Sequence, residues 1–158
     1  MTAPPIYVGM DRPDRLGVGP RLIALAVALG ALGVLLTAAW LSPDARGVGT
    51  HEGLGLQPCG FLLRTGLPCA GCGMTTSFAD AVRGRLVSSF VAQPFGLILC
   101  VLTAAAFWSA LYVSVTARPA YRLLHFVPGK VHVVVWPTLT LAAWAWKVAA
   151  MKLGVASG

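Results

Sequence analysis

At 158 residues the chain has the length of one soluble domain, but 57% of its residues are apolar, only 11% are charged and its mean hydropathy is +0.77. Too few polar side chains remain to cover a water-facing surface, which excludes an ordinary soluble globule and points to a polytopic membrane protein. The net charge of +7 comes from arginines and lysines scattered in ones and twos beside apolar runs. With no basic face, nucleic acid is not an expected partner, and the cations read as signals of membrane orientation.

The N-terminal tail, residues 1–21, carries Arg12, Arg15 and Arg21. From Leu22 to Leu41 there are twenty residues without a charge, which as a helix would be about 30 Å long and match the hydrocarbon core of a bilayer. A cleaved signal peptide is the rival reading. It would have a shorter apolar core, a leader without acids such as Asp11 and Asp14, and a small-x-small cleavage site before Ser42, so an uncleaved first span is expected.

Residues 42–94 form the first loop, whose opening, Ser42 to Thr50, is polar and glycine-rich and is expected to be irregular. From Met74 to Arg83, Phe78 and Val82 fall one turn apart, Asp80 and Arg83 can pair at i, i+3, and Gly84 is placed to end a helix. A second short helix is expected between Arg85 and Gln93. Neither is long enough to cross a bilayer, so both are expected to lie at the interface.

The second span is expected over residues 95–117, opened by Pro94 and closed by Arg118-Pro119. Residues 118–130 form a basic loop with Arg118, Arg122 and Lys130, and the third span covers 131–151, with Pro137 as a kink. Lys147 falls near the end of this span, where its stem can snorkel to the headgroups beside Trp144 and Trp146. Residues 152–158 are a C-terminal tail. The fold class is therefore all-α, with about three transmembrane helices and one or two short interfacial helices in the first loop. Arginines before the first span and between the second and third place the N-terminus in the cytoplasm and the first loop outside it.

Chemistry is suggested in one place only. Cys59, Cys69 and Cys72 gather in the first loop, the last two in a Cys-x-x-Cys-Gly turn. Such a turn holds two sulfurs close enough for one metal ion or one disulfide. A helix starting just after Cys72 would favour its thiolate and lower its pKa. A structural zinc site wants four ligands, and His51 is the one histidine in the same loop, which completes Cys59, Cys69, Cys72 and His51 around one zinc ion. The non-cytoplasmic side equally favours a Cys69–Cys72 disulfide or a bridge from Cys59. Reduced cysteines packed as small apolar residues are the third alternative, and the natural reading of Cys100 within the second span. His125 and His132 need no role beyond interfacial polarity.

The run Gly55-Leu56-Gln57-Pro58-Cys59, then Leu63-Arg64-Thr65-Gly66-Leu67-Pro68-Cys69-Ala70-Gly71-Cys72-Gly73-Met74-Thr75-Thr76, then Gly84 and Gln93-Pro94, resembles the bacterial membrane proteins of domain-of-unknown-function family 2752. That family typically shows a cysteine, TGxPCPxCGxT, a short helix, an arginine-glycine and an asparagine-proline entering the next span. Here Ala70 replaces the usual proline and Gln93 the frequent asparagine. The resemblance covers about His51 to Leu99 and makes Cys59, Cys69 and Cys72 the motif cysteines, with Gly66, Gly73 and Thr75 in the same signature. The family has no assigned activity, so the resemblance implies a site and no reaction.

The expected function is non-enzymatic: a small integral membrane module whose cysteine turn is locked by a metal ion or a disulfide, with the lipid bilayer and other membrane proteins, or copies of itself, as partners. No paired carboxylates, serine–histidine pair or phosphate loop supports hydrolytic or phosphoryl chemistry. A membrane thiol–disulfide oxidoreductase using Cys69 and Cys72 is the alternative. A small transporter or channel component is a third, opposed by the scarcity of intramembrane charge.

Overall fold

The computed structural model describes residues 15–118 and 129–154, except for the side chains of 129–133. The tail through Asp14, residues 119–128 of the basic loop with Arg122 and His125, and the last four residues lie outside this set, as do the side chains of Lys130 and His132. Every regular element among the described residues is helical. In chain order these are α1 (Val18–Trp40), a 3₁₀ turn (Thr50–Leu54), α2 (Gly60–Thr65), α3 (Met74–Ala81), α4 (Leu86–Ala92), α5 (Pro94–Thr116) and α6 (Gly129–Lys152).

Helices α1 and α5, each 23 residues, are long and apolar enough to cross a membrane. At about 1.5 Å per residue each reaches about 35 Å. Their threonines satisfy their own hydroxyls within the helix, since Thr37 and Thr103 donate to the carbonyls of Gly33 and Leu99 one turn back. Gln93, extended at φ −167°, and Pro94 at the first helical position start α5, and Ala117 in the left-handed region ends it.

The two helices run antiparallel. At one end Leu16 N–H donates to Ala117 O at 2.9 Å and Arg21 Nε to Ser114 O at 3.0 Å. At the other, Arg83 from the first loop donates to Ala38 O and Ala39 O, the last carbonyls of α1. Arg21 thus sits at the end where α1 begins and α5 finishes, and the cysteine loop, with Arg83, occupies the opposite end. Large apolar side chains on α1, among them Leu22, Ile23, Leu29 and Leu36, face outward.

Among the described residues α1 and α5 are the candidate spans, and helix α6 has 24 residues and carries Pro137 and Lys147. It rests against the others through ring contacts, Phe90–Trp146 at 5.4 Å and Phe95–Trp136 at 5.9 Å between centroids.

The first loop is more ordered than its composition suggested. Both expected short helices form, as α3 and α4. They are joined by a buried hydroxyl network in which Ser77 Oγ and Ser89 Oγ lie 2.8 Å apart, Ser77 donates to Gln93 O, and Ser89 donates to Ser77 O. Gly96 lets α5 meet α3, since a Cβ there would sit 2.8 Å from Ser77 Cβ. The 3₁₀ turn and α2 were not anticipated, being too short for a periodic pattern to register. Arg83 also departs from expectation. Asp80 pairs with Arg85 at 2.8 Å instead, which leaves Arg83 free to cap α1.

Candidate metal centre

Each motif cysteine is placed by a different local device. Cys59 caps α2, a short helix that Gly66 ends at φ +68°. Cys69 and Cys72 form a tight turn closed by Cys72 N–H to Cys69 O at 3.1 Å. Gly73, at φ +88°, then reverses the chain into α3. Only glycine fits there, because a Cβ would stand 2.7 Å from Ala92 O, 2.8 Å from Gly47 O and 3.2 Å from Lys147 Nζ.

The result brings three sulfurs from two chain segments together. Cys59, Cys69 and Cys72 Sγ all lie within 4.8 Å of one another, close enough to hold a metal ion. In tetrahedral zinc thiolates with bonds of about 2.3 Å, neighbouring sulfurs stand about 3.8 Å apart, so side-chain adjustments of under about 1 Å, widening the Cys69–Cys72 pair, would suffice. Cys69 and Cys72 Sγ are 3.1 Å apart, beyond the length of a disulfide bond, and Cys69 N–H donates to Cys72 Sγ at 3.2 Å. Cys72 is buried, while Cys59 and Cys69 are partly exposed.

The thiols are not equivalent. The backbone N–H of Leu62 at the start of α2 points at Cys59, and with hydrogen bonds from the neighbouring thiols it brings that pKa down to about 7. Burial pushes Cys72 up to about 12, reinforced by hydrogen bonding with Cys69 and Cys59. The expectation that the helix after Cys72 would favour its thiolate is therefore corrected. Desolvation outweighs the amides there, and the favoured thiolate is Cys59, at a helix the sequence did not reveal.

His51 is not in the sulfur cluster. Its ring lies in the 3₁₀ turn, with Nε2 3.2 Å from Gln57 O. Cys100 is buried within α5 and also stands outside the cluster, as a small apolar residue would.

Two groups hold the cysteine turn and a third the opening of the first loop. Trp144 Nε1 donates to Pro68 O at 2.8 Å, Gln93 Nε2 donates to Ala70 O at 2.8 Å, and Lys147 Nζ donates to Gly47 O at 2.9 Å. Both Gln93 and Lys147 are fully buried. Lys147 therefore does not snorkel to the headgroups. The first loop folds back over the end of α6, so the ammonium meets a peptide carbonyl before it reaches water. In sequence Lys147 looks like an ordinary interfacial lysine, and the signal that could have marked it is its spacing of three from Trp144 on the same helical face.

No curated protein and no solved structure matches the chain. A model of the family described as "Protein of unknown function (DUF2752)" matches residues 59–108, from the first motif cysteine into α5, so over this segment the chain is similar to that family.

Proposed function

We propose that the protein is a small integral membrane module in which Cys59, Cys69 and Cys72 bind one divalent thiophilic ion such as zinc, locking the first loop against the ends of the helices. The observation that carries this reading is the convergence of three sulfurs within 4.8 Å. A disulfide needs only two of them, whereas a metal uses all three. In the same reading α1, α5 and α6 all cross the inner membrane. The outward-facing leucines and Ile23 of α1 suit lipid, and Arg21 at the end away from the cysteines suits a cytoplasmic side, leaving the site outside the cytoplasm. The module acts on other membrane proteins or on copies of itself, and no reaction is assigned to it.

Zinc titration of the detergent-solubilised chain with a competing chelator tests the reading. Cys59→Ser should weaken zinc as severely as Cys69→Ser or Cys72→Ser, and a Cys59→Ser variant with undiminished affinity would remove the three-thiol site.

The 3.1 Å approach of Cys69 and Cys72 Sγ supports a second reading, thiol–disulfide exchange. In that case the two thiols lose two protons and two electrons to a partner's disulfide, which becomes two thiols, and the chain is left with one Cys69–Cys72 bond. Exchange activity that survives Cys69→Ser would dispose of it.

A further inference from the structure

Lys147 is a buried cation on an otherwise apolar stretch of α6, and its charge has no carboxylate to answer it among the described residues. Asp44 and Glu52 pair with Arg46, and Asp80 pairs with Arg85. An ammonium taken out of water with one carbonyl partner carries a desolvation cost that a nearby anion would offset. The candidate anion is a thiolate of the cysteine turn. Lys147 Nζ lies 3.2 Å from where a Cβ on Gly73 would stand, one residue beyond Cys72, whose thiol would become a thiolate on binding a metal.

Charge arithmetic makes the placement informative. Three thiolates around a divalent ion carry a net charge of −1, which a partly buried site tolerates poorly. One fixed ammonium beside the cluster brings the total to zero. Two thiolates around the same ion would already be neutral and would have no use for the lysine.

We infer that Lys147 is the counter-charge of the three-thiolate centre, a positioning residue outside the ligand set that makes the loop selective for a divalent ion bound by all three cysteines. This rests on the metal reading of the site proposed above. The ammonium holds its place through Gly47 O and approaches through the gap that glycine leaves at position 73.

The test is cadmium affinity of the full chain in detergent, read by chelator competition for wild type, Lys147→Met, Lys147→Arg, Cys72→Ser and the Lys147→Met/Cys72→Ser double variant, with helical content measured on each. Partners outside the ligand set typically affect metal affinity by about 10- to 100-fold, so Lys147→Met should lose about tenfold or more in the three-thiol background. In the Cys72→Ser background the same substitution should cost less than about threefold, because the counter-charge is no longer needed. Lys147→Arg should stay within about threefold of wild type. Equal losses in both backgrounds would mean that the lysine only supports the loop, and would overturn the inference. If Lys147→Met does not fold, Lys147→Arg decides, retained affinity supporting the role of charge and a tenfold loss overturning it. A wild-type chain that binds no cadmium would overturn the metal reading and this inference together, whereas tight wild-type binding with an unaffected Lys147→Met would overturn this inference alone.

Discussion

The indole N–H of Trp144 donates to Pro68 O across 2.8 Å, joining α6 to the residue just before Cys69. This bond ties the third long helix to the cysteine turn. Pro68 is fully buried, so its carbonyl has no ready replacement donor. Trp144→Phe should keep most of the packing and remove the bond, lowering stability by about 1 to 3 kcal/mol, the cost of an unsatisfied buried acceptor. Chemical denaturation in micelles would measure it, and an unchanged midpoint would show that the bond contributes nothing net.

Gly73 and Gly66 make a matched pair. Both have positive φ, but a Cβ on Gly73 meets two carbonyl oxygens at 2.7 and 2.8 Å, whereas one on Gly66 meets nothing within 4 Å. Gly66→Ala should cost about 1 kcal/mol, the left-handed strain alone. Gly73→Ala adds a clash that backbone must relieve and should cost about 3 kcal/mol or more, with loss of metal binding. Comparable losses for the two variants would contradict this packing.

Arg83 donates to Ala38 O, Ala39 O and Ala79 O, tying the end of α1 to α3. A cation on exposed C-terminal carbonyls is favoured by both hydrogen bonding and the helix dipole. Arg83→Ala should therefore destabilise the protein by about 1.5 to 3 kcal/mol. Arg64, whose guanidinium lies on the six-residue α2, serves as the comparison, and its alanine variant should be nearly silent. The two thermal midpoints in detergent check the contrast.

Much of this architecture was legible beforehand, and the reasons differ by element. Helices α1 and α5 announce themselves because twenty uncharged residues or a Pro94 to Arg118 run have few other folds. Helices α3 and α4 were visible through Phe78, Val82 and the break at Gly84. Helix α2 was not, because six residues span less than two turns and carry no period. The three cysteines could be named from spacing, but their inequality could not. That Cys59 lies on a helix start and Cys72 in a dry interior depends on how the loop folds over α6. The same fold takes Lys147 from an expected place at the headgroups to one beneath the cysteine turn. The sequence offered Asp80 with Arg83 at i, i+3, but Asp80 pairs with Arg85 while Arg83 reaches the α1 carbonyls, a long-range contact no local spacing could show.

The thiol inequality gives a pH signature in the metal-free protein. Cys59 is acidic, with its pKa lowered to about 7, so its thiolate fraction rises through neutral pH, where an ordinary cysteine is still protonated. Cys72, raised to about 12, stays a thiol throughout that range. Iodoacetamide labelling followed by peptide mapping should show Cys59 modification climbing with a midpoint of about 7, and Cys72 unmodified below about pH 9. Faster labelling of Cys72 than of Cys59 at pH 7 would contradict the assignment.

The most direct test of the central claim is the metal content of the purified chain, measured together with a count of alkylatable thiols before and after chelation. The three-thiol centre predicts about one divalent ion per chain, with Cys59, Cys69 and Cys72 protected until the chelator removes it. A metal-free chain that binds no added zinc, with Cys69 and Cys72 recovered as one reducible pair and Cys59 free, would contradict it.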